Sequence, residues 1–279
     1  MTPGLGIPCS ILLSYGRARA GLYGSAARRG KLARRSLLLG LAATLLPAPA
    51  RAGERVSGAV VDGPDRLRLE DERIVRLVGL VVPGDLSPAP DGPERVAAAC
   101  RRLEELVAAG PLELEALGED RLGRVLARVR TADGRFVQHE LVAAGLAWAF
   151  PDGLDRASAR DLLAAEAEAR RARRGLWAEP SLAVQDAARV AAEPPRFAVV
   201  EGTVVRIGRS EAFTWLDFGA GRRRGFTVRI PATALPAFRR TGLPPDRLLG
   251  RRLRVRGWLF EAGGAMMEVD DALQIEVLE

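Results

Sequence analysis

The chain has 279 residues, 48% of them hydrophobic and 28% charged, with 42 Lys and Arg against 35 Asp and Glu. These figures exclude a disordered chain, a collagen and a disulfide miniprotein, and allow one large or two small domains with their own cores. The formal charge of +7 invites a polyanion partner but is unevenly placed: residues 1–52 carry eight basic side chains and no acidic one, leaving 34 basic against 35 acidic residues in 53–279.

At the N-terminus, Arg28-Arg29-Gly30-Lys31-Leu32-Ala33-Arg34-Arg35 leads into the apolar run Leu37 to Leu46 and then Pro47-Ala48-Pro49-Ala50-Arg51-Ala52. A basic region, a short apolar stretch and an A-x-A ending are the layout of a secretory signal cleaved near Ala52. Arg34-Arg35-Ser36-Leu37-Leu38 is similar to a twin-arginine signal, which implies a bacterial protein, periplasmic or secreted. The alternative is an uncleaved anchor or a basic arm. No later run reaches about 18 apolar residues, so a mature chain of 53–279 is not expected to span a membrane. Cleavage would remove Cys9 and leave Cys100, which excludes an intramolecular disulfide. Cys100 falls in the apolar helical pattern Val96 to Leu103 and reads as a small buried side chain. The single His, His139, reads as an exposed helical residue, and one His with one Cys makes no zinc site.

From Gly53 to about Ala178 the expected order is strands, helix, strands, helices. Val56 to Val61, Arg66 to Leu69 and Ile74 to Val82 form a meander, broken at Asp62-Gly63-Pro64-Asp65 and Glu70-Asp71-Glu72-Arg73. Pro93 sits at the start of a helix reaching Ala109. Leu112 to Leu117 and Arg124 to Thr131 are two more strands, and Asp155 to Trp177 is a long amphipathic helix. Five strands with a helix after the third suggest an OB-like barrel. Residues 179–195, closing in Pro194-Pro195, read as a linker.

The order of blocks here resembles the staphylococcal-nuclease-like, or thermonuclease, family over residues 55–178. The blocks are Val61-Asp62-Gly63, Val75-Arg76-Leu77-Val78-Gly79, Gly118 to Ala127 with Gly123-Arg124, Leu141 to Ala147, and Ala165-Glu166 through Gly175-Leu176-Trp177. The resemblance implies a Ca²⁺-dependent phosphodiesterase, in which strand carboxylates hold the metal, a Glu activates water and two arginines grip the phosphate. It places the arginine pair at Arg76 and Arg124. It places a metal-ligand Asp and the catalytic Glu where this chain has Val81 and Gly84, within Val81-Val82-Pro83-Gly84. Asp65 and Asp62 remain as candidate metal ligands and Asp85 as a substitute catalytic carboxylate. Ca²⁺ wants six to eight oxygens and clustered negative charge, so this set is expected to bind it poorly, and Ca²⁺ is expected only if some activity survives.

Residues 196–279 turn β-rich again, at Val199–Ile207, Phe213–Phe218, Gly225–Ile230, Arg252–Phe260 and Met266–Val277, with a helix-like stretch within Pro231–Leu249. The fold expected for the whole is therefore mainly β with helices (α+β), a thermonuclease-type OB-like barrel at 53–178 followed by a second small OB-like barrel at 196–279. This half holds 14 Arg against 10 acidic residues. Strand alternation puts Arg252, Arg254, Arg256 and Trp258 on one face, a candidate nucleic-acid surface with phosphates on arginine and a base on the ring. Arg222-Arg223-Arg224 adds a basic loop. A solvated face in a chain whose residues 53–279 contain no Lys is the other reading.

The function expected is that of an exported thermonuclease-like protein, catalytically degenerate, which binds single-stranded nucleic acid, another polyanion or a partner protein through its barrels. An active nuclease with a rearranged carboxylate site and a structural envelope interaction protein stand as alternatives.

Overall fold

The computed structural model describes residues 53–82, 92–191, 195–219 and 225–278. The signal-like segment, Asp85 and the Arg222-Arg223-Arg224 loop lie outside the described residues. No helix among those described is long and apolar enough to cross a membrane.

The first barrel is built from β1 (Glu54–Val56), β2 (Val60–Gly63), β3 (Arg66–Arg68), β4 (Ile74–Leu77), β5 (Leu80–Val81), α1 (Gly92–Ala108), β6 (Leu112–Glu119), β7 (Val125–Thr131), α2 (Val137–Ala143), β8 (Trp148–Ala149) and α3 (Arg156–Arg171). Its six-stranded sheet has the order β1-β6-β7-β4-β3-β2, with β4 parallel to β7. Since β1 and β2 are separated only by Ser57-Gly58-Ala59, the two ends of this order are successive parts of one bent strand, and the sheet curls onto itself. Gly58, at φ +66°, supplies the bend that L side chains resist. The expected strand from Val56 to Val61 is thus two strands, and the one expected from Ile74 to Val82 likewise breaks at Gly79 (φ +84°). Along β7, Val125, Ala127, Val129 and Thr131 are buried and alternate with more exposed residues, the period-2 pattern of a half-covered sheet. Leu67, Val75, Leu77, Leu103, Leu106, Leu112, Leu141 and Leu162 fill the interior beneath α1, α2 and α3.

The second barrel comprises β9 (Gln185–Asp186), β10 (Arg196–Thr203), β11 (Arg206–Arg209), β12 (Phe213–Asp217), β13 (Thr227–Pro231), α4 (Leu235–Arg240), β14 (Arg252–Glu261), β15 (Ala265–Glu268) and β16 (Ile275–Leu278). The sheet runs β11-β12-β13-β15-β14-β10-β9, with β16 paired to the first half of β14. Its topology repeats that of the first barrel. A bent strand, here β10 and β11, closes the path, two antiparallel strands follow, a helix intervenes, and β15, the counterpart of β7, lies parallel to β13. Two OB-like barrels therefore stand in tandem.

Three sequence expectations need correction here. The helix expected from Asp155 to Trp177 ends at Arg171, because Arg173 and Gly175 both take φ +51° and the chain re-enters as a 3₁₀ turn over Gly175–Ala178. The expected linker contributes β9, which adds a parallel strand beside β10, and Ala187, which joins the second core. The last expected strand is two, β15 and β16, divided by a capped 3₁₀ turn at Ala272–Gln274.

Candidate functional site

The parallel register of β4 and β7 pairs Val75 with Val125 and Arg76 with Leu126. Val75 and Val125 point into the core. Arg76 and Arg124, each one position along, therefore share the opposite side of the sheet on adjacent strands. The register so puts the two arginines expected as a pair on one side of the sheet, Arg124 just ahead of β7. It adds a third that sequence reasoning missed: Arg66 lies directly across from Arg76 in the β3–β4 register. The signal for it was the Asp65-Arg66 hairpin step, which is readable only once the register is known.

Each of these cations already has an internal carboxylate. Asp65, buried at 4% exposure, accepts from Arg76 Nε at 3.2 Å through Oδ2 and faces Arg66 Nη1 at 3.8 Å with Oδ1. Arg76 is itself buried. Asp62 lies between Arg66 at 3.7 Å and Arg68 at 3.8 Å. Arg124 donates through Nε to Asp120 Oδ2 at 2.6 Å, while the amides of Leu122 and Arg124 donate to Oδ1. Burial opposes ionisation of Asp120, but those hydrogen bonds and the charge of Arg124 outweigh it and hold its pKa below the usual aspartate value.

Arg66, Arg68, Arg76 and Arg124 thus meet Asp62, Asp65 and Asp120, and Glu72 adds a fourth carboxylate 4.0 Å from Arg68, so among the described residues the charges balance. The described residues do not fit a Ca²⁺ ion: Asp62 and Asp65 are engaged by arginine, Val81 and Val82 offer no side-chain oxygen, and among the described residues no group of three or more His, Cys, Asp or Glu converges to hold a metal. Cys100, half-buried on α1, has its thiol pKa raised chiefly by burial. His139 is half-buried on α2.

The strip expected as an open nucleic-acid surface is elsewhere and differently used. Alternation does place Arg252, Arg254, Arg256 and Trp258 on one side of β14, but that side packs against the first barrel. Phe197 and Val199 from β10 join Val81, Trp148, Phe150, Ala169, Leu176 and Trp177 in one apolar cluster, with Trp258 against its edge. Phe197 contacts Trp148, Phe150 and Trp258, with ring centres 5.3–5.6 Å apart.

Arg256 has no exposed surface. It donates to Glu166 Oε2 at 2.5 Å, to the Ala149 carbonyl at 3.1 Å and to Glu276. Glu166, equally buried on α3, also accepts from the Ala149 amide at 2.8 Å. Arg254 bridges Glu201 and Glu276, and exposed Arg252 reaches Glu201 at 3.2 Å. A candidate phosphate-binding residue with zero exposure is unavailable to a ligand, so Arg256 is corrected to an interface residue. Desolvation opposes its charge, but Glu166 and Glu276 more than offset it and raise its pKa. The spacing of the helix and the Ala165-Glu166 block pointed to Glu166, but its partner Arg256 on the second barrel is not readable from the sequence.

No curated protein matches this chain. Residues 75–179 match the family model described as staphylococcal nuclease homologue, which supports a nuclease-family or nucleic-acid-binding function for this part of the chain. Helices α1–α3, β7, most of β4 and both Arg76 and Arg124 lie within that match, and the first barrel is consistent with a thermonuclease-like domain.

Proposed function

We propose that the protein is exported, that its thermonuclease-like barrel does not carry out the family's metal-dependent hydrolysis, and that the chain binds a polyanion, with nucleic acid the foremost class. One observation carries the loss of hydrolysis. Val81, where the resemblance places a metal-ligand Asp, is 3% exposed and belongs to the apolar cluster shared with Trp148, Phe197 and Val199. A carboxylate there would be buried without a partner, which costs several kcal/mol. The arginines on the outer side of β3, β4 and β7 support the anion preference, since the guanidinium N–H groups that hold carboxylates there have the geometry to take phosphate instead.

The test is an incubation of residues 53–279 with single-stranded DNA and RNA, with Ca²⁺ and with chelator. The expected outcome is no cleavage in either condition and binding that weakens steeply as salt rises. Ca²⁺-dependent cleavage lost in Arg124→Ala would overturn the reading, and tight binding indifferent to ionic strength would point to a protein partner. The export part is checked by cell fractionation and by N-terminal sequencing of the mature chain, which should begin near Gly53.

A further inference from the structure

The β10–β11 bend and the loop that leads into β14 meet at one end of the second barrel. The Gly250 amide donates to the Val204 carbonyl at 2.8 Å, and the Val204 amide donates to the Arg251 carbonyl at 3.0 Å. In each of these two tips one apolar side chain turns in and the next turns out. Val204 is 1% exposed and Val205 53%, and Leu248 is 2% exposed and Leu249 58%. Gly250, at φ +73°, makes the turn that leaves Leu249 outside. Single exposed apolar residues are ordinary, but two on tips held together by backbone hydrogen bonds form a small apolar patch.

The charge around the pair is one-sided. From Ala232 to Arg252 the sequence carries Arg239, Arg240, Arg247, Arg251 and Arg252 against Asp246 alone, and all five arginines are exposed. Asp246 is taken by Arg209, and Arg252 reaches Glu201 at 3.2 Å. Arg239, Arg240, Arg247 and Arg251 meet no carboxylate among the described residues. Arg247 and Arg251 flank Leu248-Leu249-Gly250, so the outward Leu249 lies between two unanswered guanidiniums.

This combination selects its partner. A nucleic-acid strand would use the arginines but gains little from Val205 and Leu249, which offer a base no ring to stack on. An apolar protein groove would take the two tips but would have to strip water from the arginines beside them. The boundary of an anionic bilayer suits both, since acyl chains receive the aliphatic tips while headgroup phosphates accept from the guanidiniums. We propose that the Val205–Leu249 tips with Arg247 and Arg251, supported by Arg239 and Arg240 at the end of α4, are a docking point for an anionic lipid surface. The proposal goes beyond the nucleic-acid reading above and does not depend on it. The tips insert shallowly and no segment crosses the membrane, so affinity comes jointly from apolar contact and from charge, and falls as salt screens the charge.

The experiment puts a reporter on the tip of the whole chain. Leu249→Trp, at an exposed position, is mixed with vesicles of phosphatidylglycerol and phosphatidylcholine or of phosphatidylcholine alone, and its emission is compared with that of the parent chain. A blue shift is expected with the anionic vesicles only, and high salt should remove it. Adding Arg247→Gln and Arg251→Gln should raise the lipid concentration at half-shift by about twentyfold, since each arginine near an anionic surface contributes about fivefold. These two side chains are exposed and meet no carboxylate among the described residues, so the substitutions leave the fold intact. No shift in Leu249→Trp, whether or not the chain floats with the vesicles, would overturn the proposal. So would an equal shift on phosphatidylcholine alone, or a half-shift unmoved by the two glutamines. A shift produced by a thymidine oligomer in place of vesicles would assign the tips to nucleic acid instead.

Discussion

A fully buried arginine is tolerable only when all its charge is answered, and Arg256 shows how the answer is divided. Glu166 comes from the first barrel and Glu276 from the second, so the guanidinium is satisfied only when the barrels are docked. Removing it leaves Glu166 buried with only Arg170 near, at 3.5 Å. Arg256→Met is therefore expected to cost about 3–5 kcal/mol in urea unfolding, while Arg256→Met with Glu166→Met recovers most of the loss, because two matched apolar side chains leave no unpaired charge. Glu276 adds a pH dependence. Burial alone would raise its pKa, but Arg256, Arg254 and Arg170 lower it below the ordinary glutamate value. Its stabilisation is thus complete above the ordinary value of about 4.3 and is lost as pH falls through the lowered one. Denaturant midpoints should drop on acidification across that window, and Glu276→Gln should flatten this part of the profile while lowering stability at neutral pH.

Individual elements are held by small, separable devices. Asp155 caps α3, accepting from the Ala157 and Ser158 amides at 2.9 and 3.0 Å and from the Ser158 hydroxyl, and it pairs with Arg128. The Ser158 amide and hydroxyl foremost bring its pKa down to about 2. Asp155→Ala should cost about 1 kcal/mol at neutral pH, and the difference from the parent should vanish as pH falls from about 4 through 2. Gly145 and Gly175 let the α2 exit and the 3₁₀ turn touch: a Cβ on Gly145 would sit 2.2 Å from the Arg174 carbonyl oxygen, and one on Gly175 would sit 2.3 Å from that of Gly145. Both residues have positive φ, so alanine at either position should lower the thermal midpoint by several degrees, through strain as well as overlap. Much of this scale was legible in the sequence. Alternation in Val125–Thr131 and the helical spacing of Val96 to Val107 are local facts, and both elements formed where expected. The breaks at Gly58, Gly79 and Val204-Val205 were not, because a bend in a continuous β pattern is set by closure of the sheet rather than by the residues themselves. At the site, the family blocks pointed to Arg76 and Arg124, and the strand register puts both on one side of the sheet. The fate of the Arg252 to Trp258 strip was hidden for the opposite reason: alternation says which residues share a face and is silent on what covers that face.

At the scale of the whole molecule, the docking of the barrels links stability to the proposed loss of hydrolysis. The apolar cluster spans both barrels and the Arg256–Glu166 pair lies beside it, so unfolding of residues 53–279 should be one transition. Val81 is part of that cluster, paired across β5 and β8 with Trp148 and packed near Phe197 of the second barrel. Installing a carboxylate at this position would be the obvious step toward rebuilding a metal site. In this setting it has the reverse effect, because the new charge is cut off from water by the second barrel and faces Trp148 and Phe197 instead of oxygen ligands. Val81→Asp is therefore expected to lower stability by several kcal/mol at neutral pH, less below its own raised pKa, and to split the single transition into two as the docking contact fails. Added Ca²⁺ should not restore the midpoint. Calorimetry of Val81→Asp with and without Ca²⁺ checks this, and a single transition stabilised by Ca²⁺ would show that the covered surface can open to form the family's metal site.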